Sequence, residues 1–202
     1  MQLLLRVALV FMLAVLTVPM SVPATAASTA DSGFEIEAFP HDSRVVTIRD
    51  TWGAPRPGGR HHQGIDIISP RGTPVVAVQA GTVTAMGWSR LSGYNLKILH
   101  AGGWVSSYLH LNNDTPGTDD GLGGEEAAFA RGLDVGDSVE AGQVIGWVGD
   151  SGNAEHTTPH THFELKRGSE RVNPYPYLMA AWGRTARNTG HFSPMTISPV
   201  AI

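Results

Sequence analysis

From residue 44 onward the apolar residues come in short β-branched runs, and nearly every run stops at a glycine, proline, serine or aspartate. That punctuation argues against long helices and for short strands joined by turns. The runs fall at residues 45–48, 65–68, 74–78, 81–86, 94–99, 104–111, 144–148 and 161–166. The turns draw on 24 glycines and 13 prolines in 202 residues. Only 125–131 reads as briefly helical, so the expected fold class is all-β, built from antiparallel sheets that stack or close into a barrel.

Two stretches look alike, 72–83 and 136–146. Each passes from glycine through valine to a second glycine ahead of a new strand. The pattern is similar to the turn-strand repeat of barrel-sandwich hybrid folds. Between them lies 112–133, which holds Asp114, Asp119, Asp120, Glu125 and Glu126 and has no cation before Arg131. It is expected to be a solvated surface insertion; a calcium loop would need oxygen ligands at alternate positions, which this segment does not clearly supply.

The N-terminus sets Arg6 ahead of an apolar run from Val7 to Leu16, then Pro19, Pro23 and the small residues 24–27. This is the layout of a secretory signal peptide, with cleavage expected near Ala26. The prolines interrupt the run short of the ~20 apolar residues a membrane span needs, so no stable membrane insertion is expected after cleavage. The domain plan is then a signal at 1–26, a linker or short pro-segment at 27–44, one domain at 45–180 and a tail at 181–202. The chain lacks cysteine, which excludes a disulfide framework. Its formal charge is -4, and losing Arg6 with the signal takes it to -5, whereas a nucleic-acid partner calls for a basic protein.

The nine histidines are unevenly placed. His62 and Asp66 bracket Gly64 at the entrance to a β-rich run, and in an extended chain positions 62, 64 and 66 share a face. In 160–165, period-two alternation puts His160, His162 and Glu164 on one face and Phe163 and Leu165 on the other. Likewise Tyr108 and His110 share a face, with Leu109 and Leu111 opposed. Three strands can thus turn polar faces to one cleft. Neither His-x-x-x-Asp nor His-x-His is specific alone in so histidine-rich a chain.

Taken together and in order, the words His62-Gln63-Gly64-Ile65-Asp66-Ile67, Gly72-Thr73-Pro74-Val75, Ser107-Tyr108-Leu109-His110-Leu111, Gly142-Gln143-Val144-Ile145-Gly146 and Pro159-His160-Thr161-His162-Phe163-Glu164-Leu165 are far more specific. They resemble the M23 family of zinc metallopeptidases, the lysostaphin or LytM-type endopeptidases, across residues 50–178. The resemblance implies the LytM-type peptidase fold, one zinc ion (Zn2+) held by His62, Asp66 and His162, and His110 and His160 as unligated catalytic histidines. It implies peptidoglycan peptides as substrate and a secreted or cell-envelope location; a monomer is expected. The chain departs from the family's usual His-Leu-His at Thr161, whose side chain should face away from the metal. It also has no asparagine before Asn95 to plug the zinc as in latent relatives, leaving His41 or Asp42 as substitutes.

Two imidazoles and one carboxylate leave a fourth tetrahedral position open, the pattern of a catalytic zinc site. Around them, Glu164 is a candidate to orient a ligand imidazole, and Tyr108 to line the cleft. Arg56 and Arg60 are candidates to meet substrate carboxylates, and Trp52, Trp88, Trp104 and Trp147 to floor a groove or pack the core. Rival readings are a non-catalytic wall-binding or amidase-activating relative and a lipoyl-type carrier. The first should lack the metal set; the second needs a lysine at a hairpin tip, which neither Lys97 nor Lys166 provides.

Overall fold

Strands form where the β-branched runs lie, and short ones also form outside them at 55–56, 60–61, 138–139 and 170–172. In chain order the elements are β1 (Thr47–Ile48), β2 (Pro55–Arg56), β3 (Arg60–His61), β4 (Ile65–Ile68), β5 (Pro74–Val76), β6 (Gly81–Ser89), β7 (Gly93–Leu99), β8 (Trp104–Leu111), α1 (Gly124–Ala128), β9 (Ser138–Val139), β10 (Val144–Trp147), β11 (His160–Arg167), β12 (Glu170–Val172) and α2 (Tyr175–Thr189). They belong to a computed structural model that describes residues 33–41 and 46–189. The expected signal peptide at 1–26 lies outside the described residues, as do 190–202 of the expected tail. No helix among the described residues is long and apolar enough to cross a membrane.

The main sheet has eight antiparallel strands in the order β1-β4-β11-β8-β7-β6-β9, with β12 also paired to β11. Two small ribbons, β10-β5 and β2-β3, complete the expected all-β architecture. One face of the main sheet is the core: Ile65, Ile67, Leu96, Ile98, Tyr108, Phe163 and Leu165 are fully buried there. Alternation leaves the other face of β4, β8 and β11 for polar side chains, which is where the site forms.

The structure corrects three sequence expectations. α2 is a helix of 15 residues that crosses the expected boundary at 180. Tyr175, Leu178 and Trp182 recur at helical spacing, Leu178 and Ala181 are buried, and Trp182 meets Phe39 edge-on at 5.2 Å. The side chain of Asn173 accepts the Tyr175 N–H at 2.9 Å and starts the helix.

Residues 33–41 of the expected linker are also part of the fold. Phe34 and Ile36 alternate with exposed Glu35 and Glu37, so the segment has the period of a strand. Phe34 stacks on Trp104 at 5.0 Å, and His41 bridges to Val75 and shares a 3.0 Å hydrogen bond with the Thr161 hydroxyl. Thr161 therefore does face away from the cluster of histidines. Burial holds the His41 imidazole neutral, its pKa pushed down to about 3. It serves the core and not as a plug of the cleft.

The 112–133 segment is a surface insertion only in its middle. Asp114 is fully buried and paired with Arg71, while Ala128 and Phe129 sit in the core. Arg71 also binds Asp119 at 2.7 Å and Asp150 at 2.8 Å, so one guanidinium gathers carboxylates that are far apart in sequence.

Candidate active site

β4 and β11 run antiparallel in a register that sets His162 opposite Asp66, and β8 places Leu109 on the other side of His162. His62 arrives by a different route. β4 begins only at Ile65, and a bend at Gly64 separates it from His62, so an unbroken extended run is not what aligns 62 with 66. The β2-β3 ribbon delivers His62 instead: its N–H donates to the Ala54 carbonyl at 2.8 Å and its carbonyl accepts from Gly53 at 2.9 Å. A Cβ at residue 64 would lie 2.7 Å from His162 Nε2. The missing side chain of Gly64 makes room for that imidazole.

Three polar atoms converge. His62 Nε2 is 3.0 Å from Asp66 Oδ1, His162 Nδ1 is 2.9 Å from the same oxygen, and the two ring nitrogens are 2.9 Å apart. The far nitrogen of each ring is anchored: His62 Nδ1 donates to the Thr51 carbonyl at 2.9 Å, and His162 Nε2 to Glu164 Oε1 at 3.3 Å. These anchors select the tautomers whose inner nitrogens are bare lone pairs. With the rings neutral, three acceptors meet within hydrogen-bonding distance and no donor lies among them. Such a set repels itself unless positive charge occupies its centre.

The titration shifts describe the other way of filling that centre, with a proton on the imidazoles. Burial raises the Asp66 pKa, yet hydrogen bonding from His162 and His62 brings it well below the usual carboxylate range. Burial lowers that of His162, yet its contacts with Asp66 and Glu164 outweigh this and raise it. Glu164 is itself lowered, because its partnership with His162 exceeds the cost of burial. A proton relieves the repulsion for one pair of atoms; a divalent cation relieves it for all three. Ring nitrogens with a carboxylate oxygen, each ring backed by a hydrogen-bond acceptor, form a donor set that suits zinc.

His110 and His160 stand beside this cluster. Their ring centroids are 5.2 Å apart, and His110 is 6.0 Å from His162. His160 Nε2 comes within 3.9 Å of Asp66 Oδ1. Each Nδ1 is held on a backbone carbonyl, His110 by Ser151 at 2.9 Å and His160 by Thr158 at 2.8 Å. That leaves each Nε2 as a proton acceptor. Burial pushes His110 down to about 4, so it stays neutral near pH 7.

The structure brings all five expected histidine and aspartate residues together, but it reassigns several neighbours. Tyr108 does not share a face with His110. His110 has φ 61, a bulge in β8 that turns its side chain to the site, while Tyr108 goes into the core. There the Tyr108 hydroxyl accepts the Val78 N–H at 2.9 Å. Arg56 donates to Asp66 Oδ2 at 2.8 Å, and Arg60 Nε donates to the Pro57 carbonyl at 3.2 Å. Trp104 is core, Trp52 packs against it, and Trp88 is 59% exposed on β6. Sequence reasoning could not find the Thr51 and Ser151 carbonyls, since any residue type supplies one.

Comparison with known proteins points to one family. The family model for peptidase family M23 matches residues 60–119 and 127–174. The L-Ala--D-Glu endopeptidase of Bacillus subtilis is 35% identical over 159 residues, covering 73% of this chain and 44% of that protein. The catalytic domain of lysostaphin from Staphylococcus simulans superposes with a TM-score of 0.53 at 29% identity, over 66% of this chain and 92% of that one. A zinc-containing peptidase from Vibrio cholerae gives 0.54 at 26% identity, over 69% and 39%. The chain spans less than half the length of the curated relatives it matches.

Proposed function

Because the chain belongs to peptidase family M23, we propose that it is a zinc metalloendopeptidase that hydrolyses peptide bonds of bacterial peptidoglycan outside the cytoplasm. The observation that supports this most is the convergence of His62 Nε2, Asp66 Oδ1 and His162 Nδ1 without a donor among them. These residues would hold the zinc. When bound, zinc polarises a peptide carbonyl and lowers the pKa of water to near ~7.

The chain's own groups do the rest. His110 and His160, with Nδ1 tied to carbonyls, present Nε2 to the same space. One takes a proton from the attacking water, and the other, when protonated, donates to the developing oxyanion or the leaving amine. Thr51 and Glu164 keep the ligand rings in place. Two relatives are an L-Ala--D-Glu endopeptidase and a glycyl-glycine endopeptidase, and the peptide of peptidoglycan is the substrate class assigned here.

Mass spectrometry of purified peptidoglycan incubated with the zinc-loaded protein tests the proposal. New peptide ends that disappear with a chelator are expected. An unchanged muropeptide profile with protein shown to contain zinc would refute it and favour a wall-binding role.

A further inference from the structure

The two oxygens of Asp66 have different partners. Oδ1 is the atom that meets His62 Nε2 and His162 Nδ1, at 3.0 and 2.9 Å. Oδ2 accepts instead from Arg56 Nη2 at 2.8 Å. The guanidinium thus occupies the outward side of the carboxylate and turns a single oxygen toward the histidines.

The backbone holds Arg56 in this position. It ends β2 opposite Arg60, across a turn in which Gly58 and Gly59 have φ of 78 and 72. Pro57 restricts the preceding residue to extended conformations. The same ribbon supports His62 through the Ala54 and Gly53 bonds. One rigid hairpin therefore places both a cluster imidazole and the guanidinium that orients the cluster carboxylate. With the Arg56 side chain 41% exposed, the ion pair adds little to fold stability, which leaves geometry as its contribution.

We infer that Arg56 is a positioning residue that makes Asp66 a one-oxygen ligand, keeping Oδ2 out of the coordination shell so that the remaining position stays open to water and substrate. This rests on the zinc reading above. Aspartate can ligate through one oxygen or both, and zinc sites can expand from four to five ligands, so an unrestrained Oδ2 competes for the open position. Metal affinity is a poor readout, because removing Arg56 both loosens a ligand and takes away a cation facing the metal. Coordination number is the decisive one.

The test uses the full chain loaded with Co2+, whose visible absorption is intense with four ligands and weak with five or six. Wild type is expected to show the intense band, and Arg56→Ala to lose most of it. Arg56→Lys, which keeps a charged donor, should recover part. With zinc, kcat of Arg56→Ala should fall by about 10-fold or more while KM holds, the size typical of groups that orient metal ligands. Wild-type absorption and kcat in both variants would overturn the inference, as would a rise in KM alone, which would mean that Arg56 touches substrate. Should Arg56→Ala fail to fold, Arg56→Lys decides by the same two readouts. If wild type takes up neither cobalt nor zinc, it is the zinc reading that has failed, before any variant is compared.

Discussion

Gly64→Ala should damage the site without touching a functional side chain. Gly64 is not in the left-handed region, so backbone strain is not at issue and the effect is packing alone. The new Cβ would sit 2.7 Å from His162 Nε2 and nearer still to the Phe163 carbonyl, where ordinary contact begins at 3.4 Å. Relief takes 0.7 Å at His162 Nε2, the difference between 3.4 and 2.7, and 1.0 Å at the Phe163 oxygen, the difference between 3.4 and 2.4. The Phe163 backbone is paired on both sides, to Ile65 of β4 and Tyr108 of β8, and is the least able to yield. Residue 64 itself must therefore back away from the Phe163 oxygen, and the His162 ring must swing, taking Nδ1 off the cluster and Nε2 off Glu164. Overpacking of this kind costs about 1–3 kcal/mol, and shifts beyond ~0.5 Å spoil a preorganised site. At roughly 2–4 °C per kcal/mol for a chain of this size, the melting temperature should fall by about 2–12 °C. Thermal unfolding followed by circular dichroism and metal analysis by mass spectrometry give both numbers, with Gly33→Ala as control because nothing lies within 4 Å of its Cβ. Full zinc content together with a melting temperature within about 1 °C of wild type would refute the steric argument.

Other outcomes follow from the same contacts. His110→Ala and His160→Ala should retain zinc and fold but lose on the order of 10²-fold in kcat, measured on a peptidoglycan peptide; zinc loss in either would reassign that residue as a ligand. Thr161→Val should strip His41 of its buried partner and cost about 1–3 kcal/mol in denaturant unfolding, whereas His41→Leu with Thr161→Val should be milder than the two losses summed. Burial raises Asp150 to about 6 despite Arg71, so between the ordinary carboxylate range and about 6 the folded chain holds a proton that the unfolded chain has released. Stability should therefore fall as pH rises through that window, and Asp150→Asn should flatten this part of the profile in chemical unfolding; an unaltered slope would exclude Asp150 as its source.

Most of the strand framework was legible because its signal is local. A β-branched run between turn residues defines a strand whatever it later packs against, and the alternation in 160–165 sorts His162 from Phe163 without any tertiary information. The five candidate site residues are proposed from the sequence for a different reason: their words stand along the chain in the order of the family they resemble. What failed locally was equally specific. α2 is hidden locally because Pro176 and Gly183 punctuate a run of otherwise good helix formers, and the Phe34–Ile36 alternation is hidden within a polar, acidic segment. The placement of Tyr108 in the core and His110 in the site needed a bulge at φ 61, which period-two counting does not register.

Sequence alone determined most of the strands, the fold class and the candidate chemical groups, since each is written in short words of neighbouring residues. Only the tertiary structure decided which oxygen of Asp66 faces the histidines, which carbonyls fix their tautomers, and that Arg71 gathers Asp114, Asp119 and Asp150. Those choices are made between segments tens of residues apart, by backbone carbonyls that every residue possesses and by charges that take the nearest partner the fold offers. Hydrogen-bond direction and ion pairing at a few ångströms depend on how segments are juxtaposed, and a local pattern does not encode that.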